Sequence, residues 1–256
     1  MFEFLKRHRR EGIRARPFPE AWRAIIDKNV AYAARLDEDD RRELEGHVQV
    51  FLEEKSFEGC GGLELTDEIK VTIAAQACVL LLHREDDYFP ELESIVVYPS
   101  AYVARRAQRI EHGIVPDEDE VRLGESWHHG LVVLAWDSVL SGAHDAHDGH
   151  NVVFHEFAHQ LDQEDGSSDG APPLPSRSRY AAWARVLGAD YAQLQNDELM
   201  NRGTVIDKYG ATNPAEFFAV VTEAFFEKPR QLAARHPELY AQLALFYKQD
   251  PVATAL

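Results

Sequence analysis

The chain has 256 residues, of which 45% are hydrophobic and 28% are charged. This composition excludes a disordered chain, and no stretch approaches the roughly 18 consecutive apolar residues that a membrane span needs. The formal net charge of −17 disfavours direct binding to nucleic acid, because such a field repels phosphates. With only 2 cysteines, the chain is expected to work in a reducing compartment, the cytoplasm.

Residues 1–16 combine a short apolar stretch with a run of Lys and Arg residues. In a secretory signal the charges come first and precede an apolar run of about 7–15 residues. We therefore expect residues 1–16 to be a solvated basic tail, although contact with a membrane surface or a partner is an alternative. Residues 17–256 are expected to form a single domain, whose part to about residue 65 is helical.

Apolar residues at helical spacing predict three helices in the first third of the chain. They cover residues 19–32, a segment that starts near Asp39, and residues 69–82. The third helix follows Thr66, which is a favourable N-cap, and has acidic residues in its first turn. Glycines between residues 59 and 62 separate it from the second helix.

Two runs of β-branched and aromatic residues, 94–98 and 130–136, predict strands. Helices are predicted after them at residues 152–161, 180–194, 214–227 and 237–247. Strands followed mostly by helices indicate an α+β fold.

The most specific motif is HEFAH at residues 155–159. On a helix, His155 and His159 lie one turn apart on one face, so both can offer a ring nitrogen to a single Zn²⁺. Glu156 lies about 100° around the helix and suits a general base acting on water. The alternative is a pair of histidines that only pack or cap. The apolar flanks of the motif predict a buried helix, where a histidine pair needs a partner, and this favours a metal.

A catalytic zinc needs a third protein ligand, and three acids are candidates. Asp162, at i+7 from His155, could be a ligand or could orient one. Asp165 would require a glycine to end the helix where Asp162 stands, so it is disfavoured. Glu216 follows Asn213, a favourable N-cap, and occupies the third position of its helix. There it could reach a metal or fold back to close a capping box, and the spacing favours neither.

His144, His147 and His150 could suggest a second metal site. They lie in a segment rich in Asp and Gly, without a fixed spacing on a helix or strand. We therefore interpret them as solvated loop histidines.

The segments HEFAHQLD (155–162) and YGATNPAEFFAV (209–220) resemble the Mlc titration factor A family of zinc peptidases. In the same order they are similar to the catalytic domain of anthrax lethal factor. The resemblance extends to VYPS (97–100), the strand at 130–136 and FYKQDP (246–251).

The resemblance implies a zincin-like metallopeptidase, mostly helical with a small mixed sheet. It implies one Zn²⁺ per chain, bound by His155, His159 and Glu216, with Glu156 as general base. It also implies that the Tyr209 hydroxyl points at the substrate carbonyl. Lethal factor has an acid four residues after its ligand glutamate, where this chain has Val220. Here Glu223 is expected to take over the supporting role.

The implied function is zinc-dependent, aminopeptidase-like hydrolysis of peptides, in which zinc and a glutamate activate water. The alternative is a regulatory protein that sequesters a Mlc-type transcriptional repressor, with peptidase activity secondary. We expect the strand at 130–136 to be an edge strand that borders the active-site cleft and pairs with substrate. Otherwise it is a central strand. Trp127, His128 and His129 either line the cleft or lie at the surface.

Overall fold

The computed structural model describes residues 2–84, 87–101, 126–127 and 130–254. The chain divides into two compact units, one formed by Met1–Leu82 and Leu92–His144, the other by His83–Glu91 and Asp145–Leu256. The first contains helices and a small sheet, whereas the described part of the second contains helices and connecting turns. The predicted α+β class is confirmed. The single domain over residues 17–256 stays a prediction, since compact units do not test it.

The helices of the first unit are α1 (Phe2–Arg14), α2 (Glu20–Asn29), α3 (Glu38–Glu54), α4 (Asp67–Val79) and α5 (Trp136–His144). Asp37 caps α3 by accepting hydrogen bonds from the backbone N–H groups of Asp39 and Asp40. Thr66 caps α4 by accepting from the N–H of Ile69. Side-chain caps of this kind satisfy backbone donors that a helix cannot pair itself, which explains why both helices begin where predicted.

Residues 2–14 form the helix α1 rather than an extended tail, and most of its described side chains are exposed, whereas the basic tail as a separate region of residues 1–16 stays a prediction. Arg10 donates two hydrogen bonds to the Glu54 carboxylate, at 2.9 and 2.7 Å. Ile13, on the same helix, is 1% exposed. The basic segment therefore packs on α3, because acids at the far end of α3 neutralise part of its charge.

The first unit also contains a four-stranded sheet in the order β1-β2-β4-β3. Its strands are β1 (Ser56–Gly59), β2 (Ser94–Tyr98), β3 (Ser126–Trp127) and β4 (Leu131–Ala135). β1, β2 and β4 are parallel, whereas β3 is antiparallel to β4. The sheet is small and mixed, as expected.

Strand β4 is not the free edge that the sequence analysis expected. It pairs with β2 along its whole length, and on its other side β3 pairs with Leu131 and Val132. The expectation failed because β3, which covers this edge of β4, has only two residues and is too short to show a hydrophobic pattern in the sequence. His128, His129 and the side chain of Trp127 lie outside the described residues.

The helices of the second unit are α6 (Val152–Asp162), α7 (Arg177–Leu199), α8 (Pro214–Glu227), α9 (Pro229–Arg235), α10 (Pro237–Tyr247) and α11 (Pro251–Thr254). Helix α8 is buried from Phe217 to Glu227. Aromatic rings surround it: Trp183 lies 5.7 Å from Phe218 between centroids, and Phe246 lies 5.8 Å from Phe218. In the described part of the chain, no helix is both long and apolar enough to cross a membrane.

Candidate metal centre

Helix α6 carries the two histidines and begins at a defined residue. The Asn151 side chain accepts hydrogen bonds from the N–H groups of Val153 and Phe154, at 3.1 and 3.0 Å. The apolar side chains of α6 are buried as the sequence predicted, except for the partly buried Val152; the buried ones are Val153, Phe154, Phe157, Ala158 and Leu161. The cap and the buried face together fix the rotation of the helix, and so the direction in which His155 and His159 point.

Glu216 comes from the first turn of α8, where the Asn213 side chain accepts a hydrogen bond from the Glu216 N–H at 2.9 Å. Its carboxylate turns towards the histidines. Glu216 Oε2 lies 3.0 Å from His155 Nε2 and 3.4 Å from His159 Nε2. The carboxylate therefore faces the imidazole pair, and the capping-box alternative does not describe its position.

The three side chains fit one Zn²⁺. Their ligand atoms all lie within 4.8 Å of one another. Tetrahedral zinc with bonds of about 2.0–2.2 Å places its ligand atoms about 3.3 Å apart. The separations of 3.0 and 3.4 Å around Glu216 Oε2 are close to this value. Two imidazoles and one carboxylate are also a donor set of catalytic zinc sites, which keep a fourth position for water or substrate.

A further carboxylate supports His155 from the opposite side of its ring. Glu223 Oε1 lies 2.8 Å from His155 Nδ1, as the sequence analysis expected. An imidazole whose Nδ1 is held by a carboxylate presents Nε2 to a metal in one orientation. Burial alone would lower the pKa of His155, but hydrogen bonds with Glu216 and Glu223 outweigh it and raise this pKa well above its usual value. The same histidine contacts lower the pKa of Glu216 against the effect of burial.

Glu156 lies between the two histidines in sequence and is only 1% exposed. Burial raises the pKa of its carboxyl group, and the neighbouring histidines oppose this rise. Among the described residues, Glu156 Oε2 has no hydrogen-bond partner. Such a buried oxygen is costly, and it leaves this carboxylate with an acceptor for a proton or a hydrogen bond.

Tyr209 precedes α8 in a short 3-10 turn, Lys208–Ala211, that the Asp207 side chain caps by accepting from the Tyr209 N–H at 2.8 Å. The tyrosine ring lies 6.0 Å from the His155 ring, between centroids. Tyr209 is 38% exposed. A large, partly exposed phenol therefore stands beside the histidine pair.

The other two candidate ligands anchor a loop instead. Asp162 Oδ2 accepts a hydrogen bond from the Gly170 N–H at 2.9 Å. Burial raises the pKa of Asp162 to about 6. Asp165 Oδ1 accepts from the N–H and hydroxyl of Ser167, at 3.0 and 2.6 Å. Neither belongs to the group of possible metal ligands that includes His155, His159 and Glu216 in the described chain.

The loop histidines do not assemble into a second centre within the described residues. His147 is paired loosely with Asp145, at 3.9 Å, and His150 with Asp207, at 3.7 Å. Both side chains are largely exposed, and His144 ends α5. Their interpretation as solvated residues agrees with these positions.

Two residues near the centre, Asn151 and Glu227, were missed by the sequence analysis. Asn151 Nδ2 donates a hydrogen bond to Glu227 Oε1 at 3.1 Å. A signal was present: Glu216, Glu223 and Glu227 are the charged residues of an otherwise apolar helix. They recur at i, i+7 and i+11, which is one helix face.

Comparison with known proteins agrees with this geometry. The family described as glucose-regulated metallo-peptidase M90 matches residues 4–248 of the chain. An uncharacterized protein of Synechocystis sp. is 44% identical over 238 residues, which cover 93% of this chain and 86% of that protein. Mlc titration factor A of Serratia proteamaculans is 36% identical over 223 residues, 85% of this chain and 83% of the relative. Mlc titration factor A of Yersinia pestis is 32% identical over 230 residues, 88% of this chain and 83% of the relative. Because these matches span most of the sequence, the chain belongs to the glucose-regulated metallo-peptidase M90 family, and the resemblance found in the sequence is confirmed.

Proposed function

We propose that the protein is a zinc-dependent peptidase with a zincin-like fold and one Zn²⁺ per chain, bound by His155, His159 and Glu216. One observation carries the proposal: two imidazole nitrogens from one helix and a carboxylate from a distant helix lie within 4.8 Å of one another. The buried Glu156 beside them supports hydrolysis rather than a purely structural metal site. Membership of a metallopeptidase family supports the same reaction class.

In this mechanism a Zn²⁺ held by the three side chains would act as a Lewis acid, which polarises a carbonyl and lowers the pKa of water. Glu156 accepts a proton from the water that attacks the scissile carbonyl. The same carboxyl group then donates that proton to the amine of the leaving product. A buried carboxylate with an oxygen that has no partner among the described residues suits this role, because that oxygen is available to accept a proton.

Tyr209 is proposed to donate its hydroxyl proton in a hydrogen bond to the substrate carbonyl oxygen. Negative charge grows on this oxygen in the transition state, and a positioned donor stabilises it more than it stabilises the substrate. The closeness of the ring to His155 and its exposure of 38% support this assignment. Replacing Tyr209 by Phe should lower kcat by about 10²-fold and leave zinc content unchanged.

The decisive test is the Glu156→Gln variant, measured for zinc content and for hydrolysis of a peptide panel. We expect one zinc per chain to remain, while hydrolysis falls by at least about 10²-fold, because the amide cannot accept the proton. Asp165→Asn is the matched control, since this carboxylate binds its own loop and should affect neither quantity. Hydrolysis by Glu156→Gln at the wild-type rate would refute the assignment.

The peptidase is proposed to be aminopeptidase-like, which rests on the family resemblance alone. The same panel tests it when each peptide is supplied with a free and with an acetylated amino terminus. Cleavage restricted to free amino termini supports the proposal. Internal cleavage of acetylated peptides would replace it with endopeptidase action.

A second candidate function is the capture of a Mlc-type transcriptional repressor. It is favoured by relatives named Mlc titration factor A, which are 36% and 32% identical to this chain. A net charge of −17 suits a partner with a basic surface. Glu156→Gln should capture purified repressor as the wild type does, since it keeps the fold. Absence of capture by both proteins would exclude this function.

A further inference from the structure

The N-terminal end of α6 is fastened to the C-terminal half of α8 by buried polar groups. The Asn151 N–H donates to Glu223 Oε2 at 2.6 Å. Glu227 accepts from Asn151 Nδ2 at 3.1 Å and, through its other oxygen, from the Gly149 N–H at 3.0 Å. We call Gly149, Asn151, Glu223 and Glu227 the α6 anchor.

The α6 anchor continues the line of contacts that forms the metal centre. His155 contacts Glu216 and Glu223, whereas Asn151, four residues earlier, contacts Glu223 and Glu227. Residues nearer the N-terminus of α6 therefore contact residues nearer the C-terminus of α8. The two helices run antiparallel with all three glutamates on one face of α8. His155 lies one turn after Asn151, so a shift of Asn151 relative to α8 moves the imidazole relative to Glu216. Metal–ligand distances tolerate only about 0.2 Å.

Stability alone does not explain why the acidic groups of the α6 anchor are buried. Asn151, Glu223 and Glu227 are exposed by only 3%, 6% and 2%. Buried acidic groups are costly to desolvate, and replacing them by packed apolar residues is often neutral or stabilising. These glutamates nevertheless meet donors at the start of α6, so their contacts hold that helix in one position relative to α8.

Gly149 has the backbone conformation that this arrangement needs. Its φ of +78° lies in the left-handed region, which glycine adopts without strain. In this conformation the backbone N–H of Gly149 points at Glu227.

We propose that Asn151 and Glu227 are positioning residues, which hold His155 in register with Glu216 through the α6 anchor and so set the affinity of the site for zinc. Neither Asn151 nor Glu227 is one of the three proposed metal ligands. The inference rests on the proposed function to the extent that it requires a zinc site at His155, His159 and Glu216.

The test uses Asn151→Ser and Glu227→Gln in the full chain. Serine is a good N-cap, and its backbone N–H still donates to Glu223, so Asn151→Ser removes the hydrogen bond to Glu227 and keeps a side-chain cap. Gln in place of Glu227 has one acceptor oxygen for two donors, so one of them loses its partner. Zinc affinity is measured by competition with a chromogenic chelator, and each variant is expected to bind zinc about tenfold more weakly.

The double variant and a control separate positioning from simple stability. Asn151→Ser combined with Glu227→Gln should weaken binding by less than the two single effects combined, because both changes act on the α6 anchor. Ser176→Ala removes the N-cap of α7 in the same unit and should lower the free energy of unfolding while zinc affinity stays unchanged. Unfolding of the zinc-free proteins in urea provides the stability scale.

The inference is overturned if both variants bind zinc like the wild type, including the case in which they only lose unfolding free energy as Ser176→Ala does. A wild type that binds zinc but cleaves no peptide would refute the proposed peptidase and leave the affinity result standing. A wild type that cleaves peptides, with variants of unchanged affinity, would refute the positioning role alone. Absence of zinc binding by the wild type would refute both.

Discussion

Helices α4 and α8 are both buried on nearly all sides, yet they treat polar residues differently. In α4 the buried polar side chains are neutral: Asn29 Nδ2 donates to Thr72 Oγ1 at 3.0 Å, and Gln76 Nε2 donates to the Thr72 carbonyl at 3.2 Å. In α8 the charged residues are Glu216, Glu223 and Glu227, and all three face α6. The first pattern connects neighbouring elements, whereas the second gathers three acidic side chains at one place.

The contrast has an energetic basis. A neutral hydrogen bond contributes about 1 kcal/mol net, so Thr72 and its partners can be explained by packing alone. A buried carboxylate costs several kcal/mol in desolvation, which only good partners offset. Three acidic residues on one face of an otherwise apolar helix therefore indicate a functional site, and the imidazole pair near Glu216 supports the metal site proposed above.

Among the substitutions that test the difference between α8 and α4, removal of the His155 imidazole should have the largest effect. His155→Ala deletes the partner of both Glu216 and Glu223, so we expect loss of zinc binding and a decrease of about 3–5 kcal/mol in the free energy of unfolding. Zinc content and urea unfolding of the chelator-treated protein measure the two effects. Zinc retained at one per chain in the variant would show that the metal lies elsewhere.

The bounds of α8 could be predicted from the sequence, but the direction of Glu216 could not. Asn213 and Pro214 are local signals, and the helix indeed runs over residues 214–227. Whether Glu216 folds back or reaches His155 depends on where α6 lies, 61 residues earlier in the chain. Local spacing contains no information on that distance. The family resemblance supplied it, by matching both segments at once.

Helix α1 and strand β1, which are among the elements that were not predicted, were missed for a related reason. Helix α1 buries Ile13 and pairs Arg10 with Glu54, so its inner face contains a charge that looks solvent-exposed in the sequence. Strand β1 has only four residues and is recognised by its parallel pairing with β2, which begins where Ser56 meets Ser94. Both depend on partners about 40 residues away.

Gly170 lies at the other end of α6, between Asp162 and the first residue of α8. Its N–H donates to Asp162 at the end of α6, its φ is +78°, and a Cβ atom would lie 2.3 Å from the Pro214 carbonyl oxygen at the start of α8. Gly170→Ala should therefore cost about 3 kcal/mol in unfolding free energy, from left-handed strain and overpacking. Gly188→Ala is the control in α7, where nothing lies within 4 Å, and it should be neutral or stabilise by up to about 1 kcal/mol. Equal effects at both glycines would contradict this account.

The pH dependence of stability should distinguish a buried acid in α8 from the neutral groups of α4. Burial raises the pKa of Glu227 from 4.5 to about 9, and the charge of Glu223 adds to the rise. Between these values the unfolded chain has lost the proton that the folded chain keeps. The unfolding free energy therefore decreases as pH increases, with a slope of at most about 1.4 kcal/mol per pH unit from this group.

Urea unfolding of the wild type and of Glu227→Gln at pH 6, 7 and 8 measures this contribution. The variant cannot titrate at residue 227, so its unfolding free energy should decrease less over the range. Asp162, whose pKa is raised to about 6, contributes equally to both curves. Parallel curves for the two proteins would place the pH dependence in other groups.

The smallest effect is expected in α4, and it decides whether the two helices differ in kind or only in degree. Thr72→Val keeps the shape of the side chain and removes its hydroxyl, so Asn29 Nδ2 loses one acceptor but keeps Glu68 Oε1 at 3.1 Å. The Gln76 bond is also kept, since its acceptor is the Thr72 backbone carbonyl. The unfolding free energy should therefore decrease by only about 1 kcal/mol, with zinc affinity and its pH dependence unchanged.

If Thr72→Val instead lowered the unfolding free energy as much as His155→Ala, or weakened zinc binding, the acidic residues of α8 would no longer be what distinguishes the functional helix. An effect near 1 kcal/mol that leaves zinc untouched would assign the polar residues of α4 to packing and those of α8 to the metal.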